Sequence, residues 1–439
     1  MKYQKYPVYK DSGVEWIGEI PERWKLTKFK RVAKTEKGKL NSTLVYGPLL
    51  ENYIPYLSME YLRSGVDPIQ WVPKDDTSVI ANKGDILLLW DGSNAGEFLN
   101  AKYGAVSSTI ALVKLKNINR GFFFYWCKII ESQIQELTVG MGIPHVDGNI
   151  LKDFITILPS IDEQYILSNF LDSQTSKIDS LISNLQKMIE LLKEKRQALI
   201  THAVTKGLDP NVPTKDSGVE WIGEIPSSWN VVQTKWLMSC NDEVIPENSP
   251  SSFELTYVEI SDVDFTRGIT NRELMRFEDA PSRARRKVRD GDIIISTVRT
   301  YLKAIAEIKA PDNNLVVSTG FAVLRPRKVL QSFAKYALSA SYFIEKVISE
   351  SFGVSYPAIT ADRLVSIKLA VPDIKTQEEI ADLLDKQTMN IDSLVKKQEE
   401  MIDLLREHRF SLISSAVTGK IEVRNLKINE ISESNKYNG

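Results

Sequence analysis

The longest hydrophobic regularities in the chain are two stretches at heptad spacing. From Leu171 the apolar positions run Leu171, Ile178, Leu181, Leu185, Met188, Leu192 and Leu199, with Ile182 and Ile189 widening the stripe. The second run is Leu384, Ile391, Leu394, Met401, Leu405 and Leu412, with Val395 and Ile402 beside it. Neither Pro nor Gly interrupts residues 161–206 or 374–418. At ~1.5 Å per residue, a helix of ~40 residues is a rod of ~60 Å. Gln174, Gln387, Lys195 and His408 fall on the expected seam, where polar residues fix register. Heptads sustained over about four repeats in both runs favour a paired coiled coil over two amphipathic helices in separate cores.

Elsewhere the periodicity is mixed. Lys83-Gly-Asp-Ile-Leu-Leu-Leu-Trp90 and Asp290-Gly-Asp-Ile-Ile-Ile-Ser296 each read as a turn followed by a buried strand. Val106–Val113 and Val317–Leu324 read as later strands, and Phe122–Leu137 and Phe333–Ser349 as helices. Strands with a few helices, then a long helix, predict an α+β fold.

That order occurs twice. Lys10-Asp-Ser-Gly-Val-Glu-Trp-Ile-Gly-Glu-Ile-Pro21 returns letter for letter as Lys215–Pro226, and a further Trp follows each copy, Trp24 and Trp229. After a divergent stretch the copies converge again. Pro159-Ser-Ile-Asp-Glu-Gln164 matches Pro372-Asp-Ile-Lys-Thr-Gln377, and 172–181 matches 385–394 at seven of ten positions. Ala203-Val-Thr205 matches Ala416-Val-Thr418. Self-similarity at a fixed period outranks any single motif. The expected divisions are a globular domain over 1–158, a helix over 159–206, a second domain over 207–371, a helix over 372–418 and a polar tail over 419–439. The identical segments cannot encode a difference between the copies, so Trp16 and Trp221 are expected to be packing anchors.

Composition narrows the classes. The 439 residues are long enough for two cores, and 43% hydrophobic with 26% charged residues is ordinary for a soluble globular protein. Two cysteines, Cys127 and Cys240, without metal-site spacing suggest a reducing compartment. No apolar run approaches the ~18 residues of a membrane span, so a cytoplasmic location is expected. A net charge of −1 excludes a chain whose whole surface grips nucleic acid, though not local basic patches.

Catalytic signatures are missing. The sequence contains no phosphate loop and no dinucleotide-binding glycine motif. His145, His202 and His408 are too scattered to suggest a metal centre, and Gly140-Met-Gly142 is too short to be informative. A dispersed carboxylate pair of nuclease type stays open, but binding is favoured over catalysis.

One charge run stands out. Arg283, Arg285, Arg286, Lys287, Arg289, Arg299 and Lys303 face only Asp290 and Asp292, a local excess of five, with Tyr301 interleaved. Guanidinium forks suit phosphate oxygens and guanine edges; a solvated basic loop explains such a run equally well. The corresponding part of the first copy is polar, with Asn94, Lys102, Ser107 and Ser108 as candidate contacts, so the copies are not expected to read the same sequence. The helices contrast with this. Residues 163–200 balance five acids with five bases, and 376–417 carry nine acids against five. A rod of that charge does not track a phosphate backbone.

The doubled Lys-Asp-Ser-Gly-Val-Glu-Trp-Ile-Gly-Glu-Ile-Pro…Trp opening, the Gly-Asp-Ile strands at Gly84 and Gly291, and the Pro-x-Ile-x-x-Gln helix entries at Pro159 and Pro372 together resemble the specificity (S) subunit of type I restriction–modification systems. The resemblance covers nearly the whole chain. It implies two similar target recognition domains separated by two long antiparallel coiled-coil helices, with pseudo-two-fold symmetry. It also implies that each domain reads one half of a bipartite, asymmetric site in double-stranded DNA, and that the helices set the gap and dock two methyltransferase subunits. Restriction subunits join that core. On this resemblance the chain is no enzyme and holds no cofactor. S-adenosylmethionine, ATP and Mg belong to the partner subunits. The alternative is a coiled-coil scaffold whose variable domains bind proteins.

Overall fold

The structure is a computed structural model and describes residues 3–39, 44–48, 51–63, 67–74, 78–140, 142–312 and 314–424. The expected polar tail falls outside the described residues from 425 onward. The chain forms two compact units, 1–184 with 400–439, and 185–399. Each combines a globular domain with parts of both long helices.

Among the described residues, the first unit holds two larger sheets beside two two-stranded pairs. One runs Phe98–Asn100, Ile86–Leu89, Ile110–Leu115, Ala33–Lys37 in spatial order, all antiparallel. The other has five short strands, with one parallel pair between Gly104–Val106 and Tyr53–Leu57. The second unit repeats the plan. Its antiparallel sheet runs Met238–Cys240, Phe321–Pro326, Ile293–Ser296, Ile305–Glu307. Its companion sheet has one parallel pair, Glu254–Val258 with Leu315–Ser318. The run expected as one strand over Val106–Val113 is therefore two strands in different sheets, as is Val317–Leu324. Ser107–Thr109 and Ser318–Gly320 are the corners at which the chain changes sheet. Their small polar residues satisfy the turn locally: Ile110 N–H donates to Ser107 O at 3.0 Å, and Gly320 N–H to Ser318 Oγ at 3.3 Å.

The doubled dodecapeptide folds identically in both units, as a hairpin pairing Lys10 with Ile20 and Lys215 with Ile225. The expectation for Trp16 and Trp221 is corrected by burial. They are 39% and 41% exposed, whereas Trp24 and Trp229 are 1% and 3% exposed. Trp24 and Trp229 are the buried anchors. Trp16 lies over Trp126 at 5.5 Å, and Lys346 Nζ sits 4.1 Å above Trp221. Each hairpin receives the end of a long helix. Lys420 Nζ donates to Glu19 O and Lys206 Nζ to Glu224 O, both at 2.6 Å.

The long helices span Ile161–Lys206 and Ile374–Val417. Their inward stripes are Leu171, Thr175, Ile178, Ile182, Leu185, Ile189, Leu192, Arg196 and Leu384, Thr388, Ile391, Val395, Gln398, Ile402, Leu405, Arg409. The spacing alternates four and three, a heptad seam, but displaced one residue from the seam expected at several positions. Leu181, Met188, Leu394 and Met401 face outward, and so do Lys195 and His408. Polar residues hold the seam for identifiable reasons. Thr175 and Thr388 each meet a tyrosine hydroxyl of the adjoining domain, Tyr125 at 3.0 Å and Tyr336 at 3.1 Å. Asp172 and Asp385 accept from the same hydroxyls at 2.7 and 2.6 Å.

Arg196 and Arg409 bond across the seam. In the second unit Arg196 Nε donates to Asp392 Oδ1 at 2.9 Å, while Met188 lies by Gln398. Rising numbers on one helix meet falling numbers on the other, so the pair is antiparallel. In the first unit Arg409 Nε donates to Asp179 Oδ1 at 2.8 Å, the same pair with the helices exchanged.

The helix expected over Phe333–Ser349 is two helices, Gln331–Ser339 and Ser341–Ser349, broken at Ala340. The freed backbone groups are taken by the first long helix. Gln197 Nε2 donates to Ser339 O at 2.8 Å, and Ser341 N–H donates to Thr201 Oγ1 at 2.9 Å. Gln197 and Thr201 are one turn apart, so the break fits one helix face.

Candidate nucleic-acid interface

Strand Ile293–Ser296 delivers the chain to a surface loop in the second unit. Thr297 N–H donates to Gly320 O at 2.8 Å, tying the loop to the sheet-changing corner. Arg299 follows at φ 53°, a left-handed conformation. Its N–H donates to Pro357 O at 2.8 Å. Thr300 Oγ1 lies 2.8 Å from Ser351 Oγ, and Ile359 N–H donates to Thr297 O at 2.9 Å. The loop 297–303 and the hairpin 352–358 are thus one built element, closed by reciprocal backbone bonds of 2.9 Å between Phe352 and Ala358.

The expected basic residues divide around this element. Arg299, Tyr301 and Lys303 are exposed on the loop. Among the described residues, neither Arg299 nor Lys303 pairs with a carboxylate; the Arg299 guanidinium lies 4.8 Å from the Tyr356 ring. Arg283 and Arg286 reach the same corner. Thr319 N–H donates to Arg283 O at 2.8 Å, and Arg286 Nη2 approaches Thr319 O at 3.5 Å. The Arg283 side chain is paired with Glu259. Arg286 is half-buried, and burial pulls its guanidinium below the usual range. Arg285 and Lys287 are half-buried on strand Ala284–Lys287, Arg285 over the Phe277 ring at 4.8 Å.

Arg289 lies apart from this loop. Its Nε is 2.7 Å from Glu243, at the opposite end of strand Ile293–Ser296. The Arg325 hydrogen bond, with Arg289 adding to it, holds the Glu243 carboxyl below its ordinary range against slight burial. Asp292 is buried and engaged by Arg325 at 2.7 Å. The basic run is therefore partly neutralised by Glu243 and Glu259 from outside it.

The first unit builds the same frame from different residues. Gly92 takes the place of Arg299: at φ 106° its N–H donates to Pro144 O at 2.9 Å. Val146 N–H donates to Trp90 O at 2.9 Å, and Val139 and His145 close a hairpin with backbone bonds of 2.9 and 2.8 Å. Asn94 is exposed in the turn beside it. Lys102 lies elsewhere, its Nζ 2.5 Å from Tyr61 O and 4.2 Å above the Tyr61 ring. Ser107 is buried, its Oγ 3.1 Å from Thr109 Oγ1, and Ser108 is half-buried at the corner.

The two hairpins were missed in the sequence. Their signal is Gly140-x-x-x-Pro144 against Gly353-x-x-x-Pro357, the same separation that relates the helix entries at Pro159 and Pro372. Among the described residues no group of three or more His, Cys, Asp or Glu side chains is placed to hold a metal ion. No described helix is long and apolar enough to cross a membrane.

Two domains on one plan, each carrying a loop-and-hairpin surface and followed by a long helix, define a tandem recognition-module protein. The chain belongs to the family of the type I restriction modification DNA specificity domain, whose model matches residues 21–191 and 269–403. It is similar to the type I restriction enzyme MjaVIII specificity subunit of Methanocaldococcus jannaschii, 31% identical over 93% of this chain and 95% of that protein. It is also similar to the EcoBI specificity subunit of Escherichia coli, 24% identical over 69% of this chain and 66% of that one. A solved chain from work on complex assembly and conformational transition of the type I R-M system aligns with a TM-score of 0.60 at 17% identity, covering 91% of this chain and 98% of that chain.

Proposed function

We propose that this chain is the DNA sequence-specificity subunit of a type I restriction–modification complex. Each domain reads one half of a bipartite, asymmetric duplex site. The repeated frame with unlike side chains carries this reading: one loop position is Gly92 in the first domain and Arg299 in the second. Alike backbones present different chemistry, as two different half-sites require.

The helices dock two methyltransferase subunits. Leu181 with Met401 and Leu404 in the first unit, and Leu394 with Met188 and Leu191 in the second, are all exposed. They are the same three repeat positions with the same residue types. Their heptad places put each set on one flank of an antiparallel seam. A patch presented twice suits one kind of partner bound twice. Restriction subunits join that core. Methyl transfer from S-adenosylmethionine and the ATP- and Mg-dependent steps belong to the partners, and the chain's own task is to bind and position.

The complex of this chain with its methyltransferase subunits is expected to bind one interrupted duplex sequence, with affinity falling steeply as salt rises. Binding without sequence preference would overturn the proposal. A coiled-coil scaffold with protein-binding domains would give that result.

A further inference from the structure

The hairpin 352–358 is the most exposed apolar feature of the second domain. Phe352 is 64% exposed, Tyr356 62%, and Val354 at the tip 102%. Tyr301 and Leu302 of the adjoining loop are also exposed. A contiguous apolar cluster on a surface marks an interaction site. Its surroundings specify the partner. The guanidinium of Arg299 stacks on Tyr356 at 4.8 Å and that of Arg363 on Phe352 at 4.4 Å. Lys303 is exposed on the same loop as Arg299. Stacking fixes a guanidinium plane; the N–H edges of Arg299 meet no carboxylate among the described residues, whereas Arg363 Nη1 lies 3.9 Å from Glu350 Oε2 and would turn from it to a phosphate oxygen. An apolar tip flanked by two oriented arginines complements a nucleic-acid groove, with base edges at its floor and phosphates on its walls. A narrow loop closed by one pair of reciprocal backbone bonds, Phe352 with Ala358, is slim enough for the ~12 Å major groove. The backbone bonds of residues 297 and 299 and the Thr300–Ser351 hydroxyl contact hold the hairpin against the loop.

We propose that this hairpin is the base-reading element of the second domain, with Val354 against the base edges and Arg299 and Arg363 on the flanking phosphates. The assignment rests on the specificity-subunit reading and names its specificity-determining residue. An apolar side chain at the tip favours the thymine methyl group.

The test uses the full chain assembled with its methyltransferase subunits and a sequence-randomised duplex library, with bound DNA sequenced. Val354→Ser is expected to relax preference at one or two adjacent base pairs of one half-site, from about 10- to 100-fold to near none, leaving the other half-site intact. Arg299→Ala and Arg363→Ala are expected to weaken binding to all sequences alike, and each to reduce the slope of log affinity against log salt by about one. Val354 is wholly exposed, so its replacement leaves folding intact. An unchanged preference profile for Val354→Ser overturns the assignment while the specificity-subunit reading stands. Loss of methyltransferase assembly with DNA preference retained also overturns it, by making the hairpin a protein contact. If the unmodified complex shows no preference at any position, the underlying reading fails as well.

Discussion

Replacing the outward leucines of one unit is expected to remove one methyltransferase and leave the other. The perturbation is Leu181→Glu with Leu404→Glu. These side chains are 52% and 59% exposed, so about half of each surface is available to a partner. Full burial of a leucine stabilises by roughly 1.5–3 kcal/mol, so two half-burials contribute roughly 1.5–3 kcal/mol. That corresponds to about 10- to 150-fold in affinity, before the added cost of placing carboxylates against an apolar partner. Both positions lie off the seam, so the chain's own stability should move by less than about 0.5 kcal/mol. Native mass spectrometry of the assembled complex reads the outcome directly: two methyltransferases per chain become one. Leu394→Glu with Leu191→Glu should do the same, and all four together should abolish docking. Retention of two copies at unaltered affinity, or loss of both from either pair alone, would refute the repeated-patch reasoning.

Other consequences concern the frame and the loops. Asp179→Arg and Arg409→Asp should each destabilise by up to about 1 kcal/mol and the double exchange should recover most of it, since the pair is partly exposed. A urea-denaturation cycle with no recovery would contradict the antiparallel register. Gly207 and Gly419 close the two long helices at φ 78° and 73°, so alanine costs about 1 kcal/mol at either. An added Cβ at Gly419 would also overlap the Pro21 ring, whereas at Gly207 its nearest neighbours are 3.4 and 3.7 Å away. Gly419→Ala should therefore be the more damaging by a further 1–3 kcal/mol, read as faster hydrogen exchange around Trp24. Equal effects would mean the Pro21 contact is relaxed at no cost. Arg289→Ala should weaken DNA binding less than Arg299→Ala, because Arg289 is held by Glu243; the reverse order in salt titrations would displace the interface from the loop.

Much of the architecture was legible because the chain states it twice. The doubled dodecapeptide and the recurring helix entries expose the modules, and the heptads expose the helices. The register of the seam was less legible. Leu181 and Met188 are apolar yet outward, while Thr175 and Arg196 are polar yet inward, where Tyr125 and Asp392 satisfy them. Hydrophobicity alone cannot separate a buried seam from an exposed apolar flank. The charge run 283–303 had a similar limit. Glu243 and Glu259 neutralise two of its arginines and are distant in sequence. The hairpins escaped notice because Arg299 and Tyr356 meet only through the fold.

If the two domains read separate halves of one site, exchanging one domain's loops alters one half alone. The most direct measurement is the map of methylated bases in DNA from cells carrying this chain with its methyltransferase, before and after replacing residues 297–303 and 352–358 by those of a relative with a different second domain. The expected result is one interrupted, asymmetric motif, of which only one half changes. A single uninterrupted motif, or a change in both halves, would contradict it.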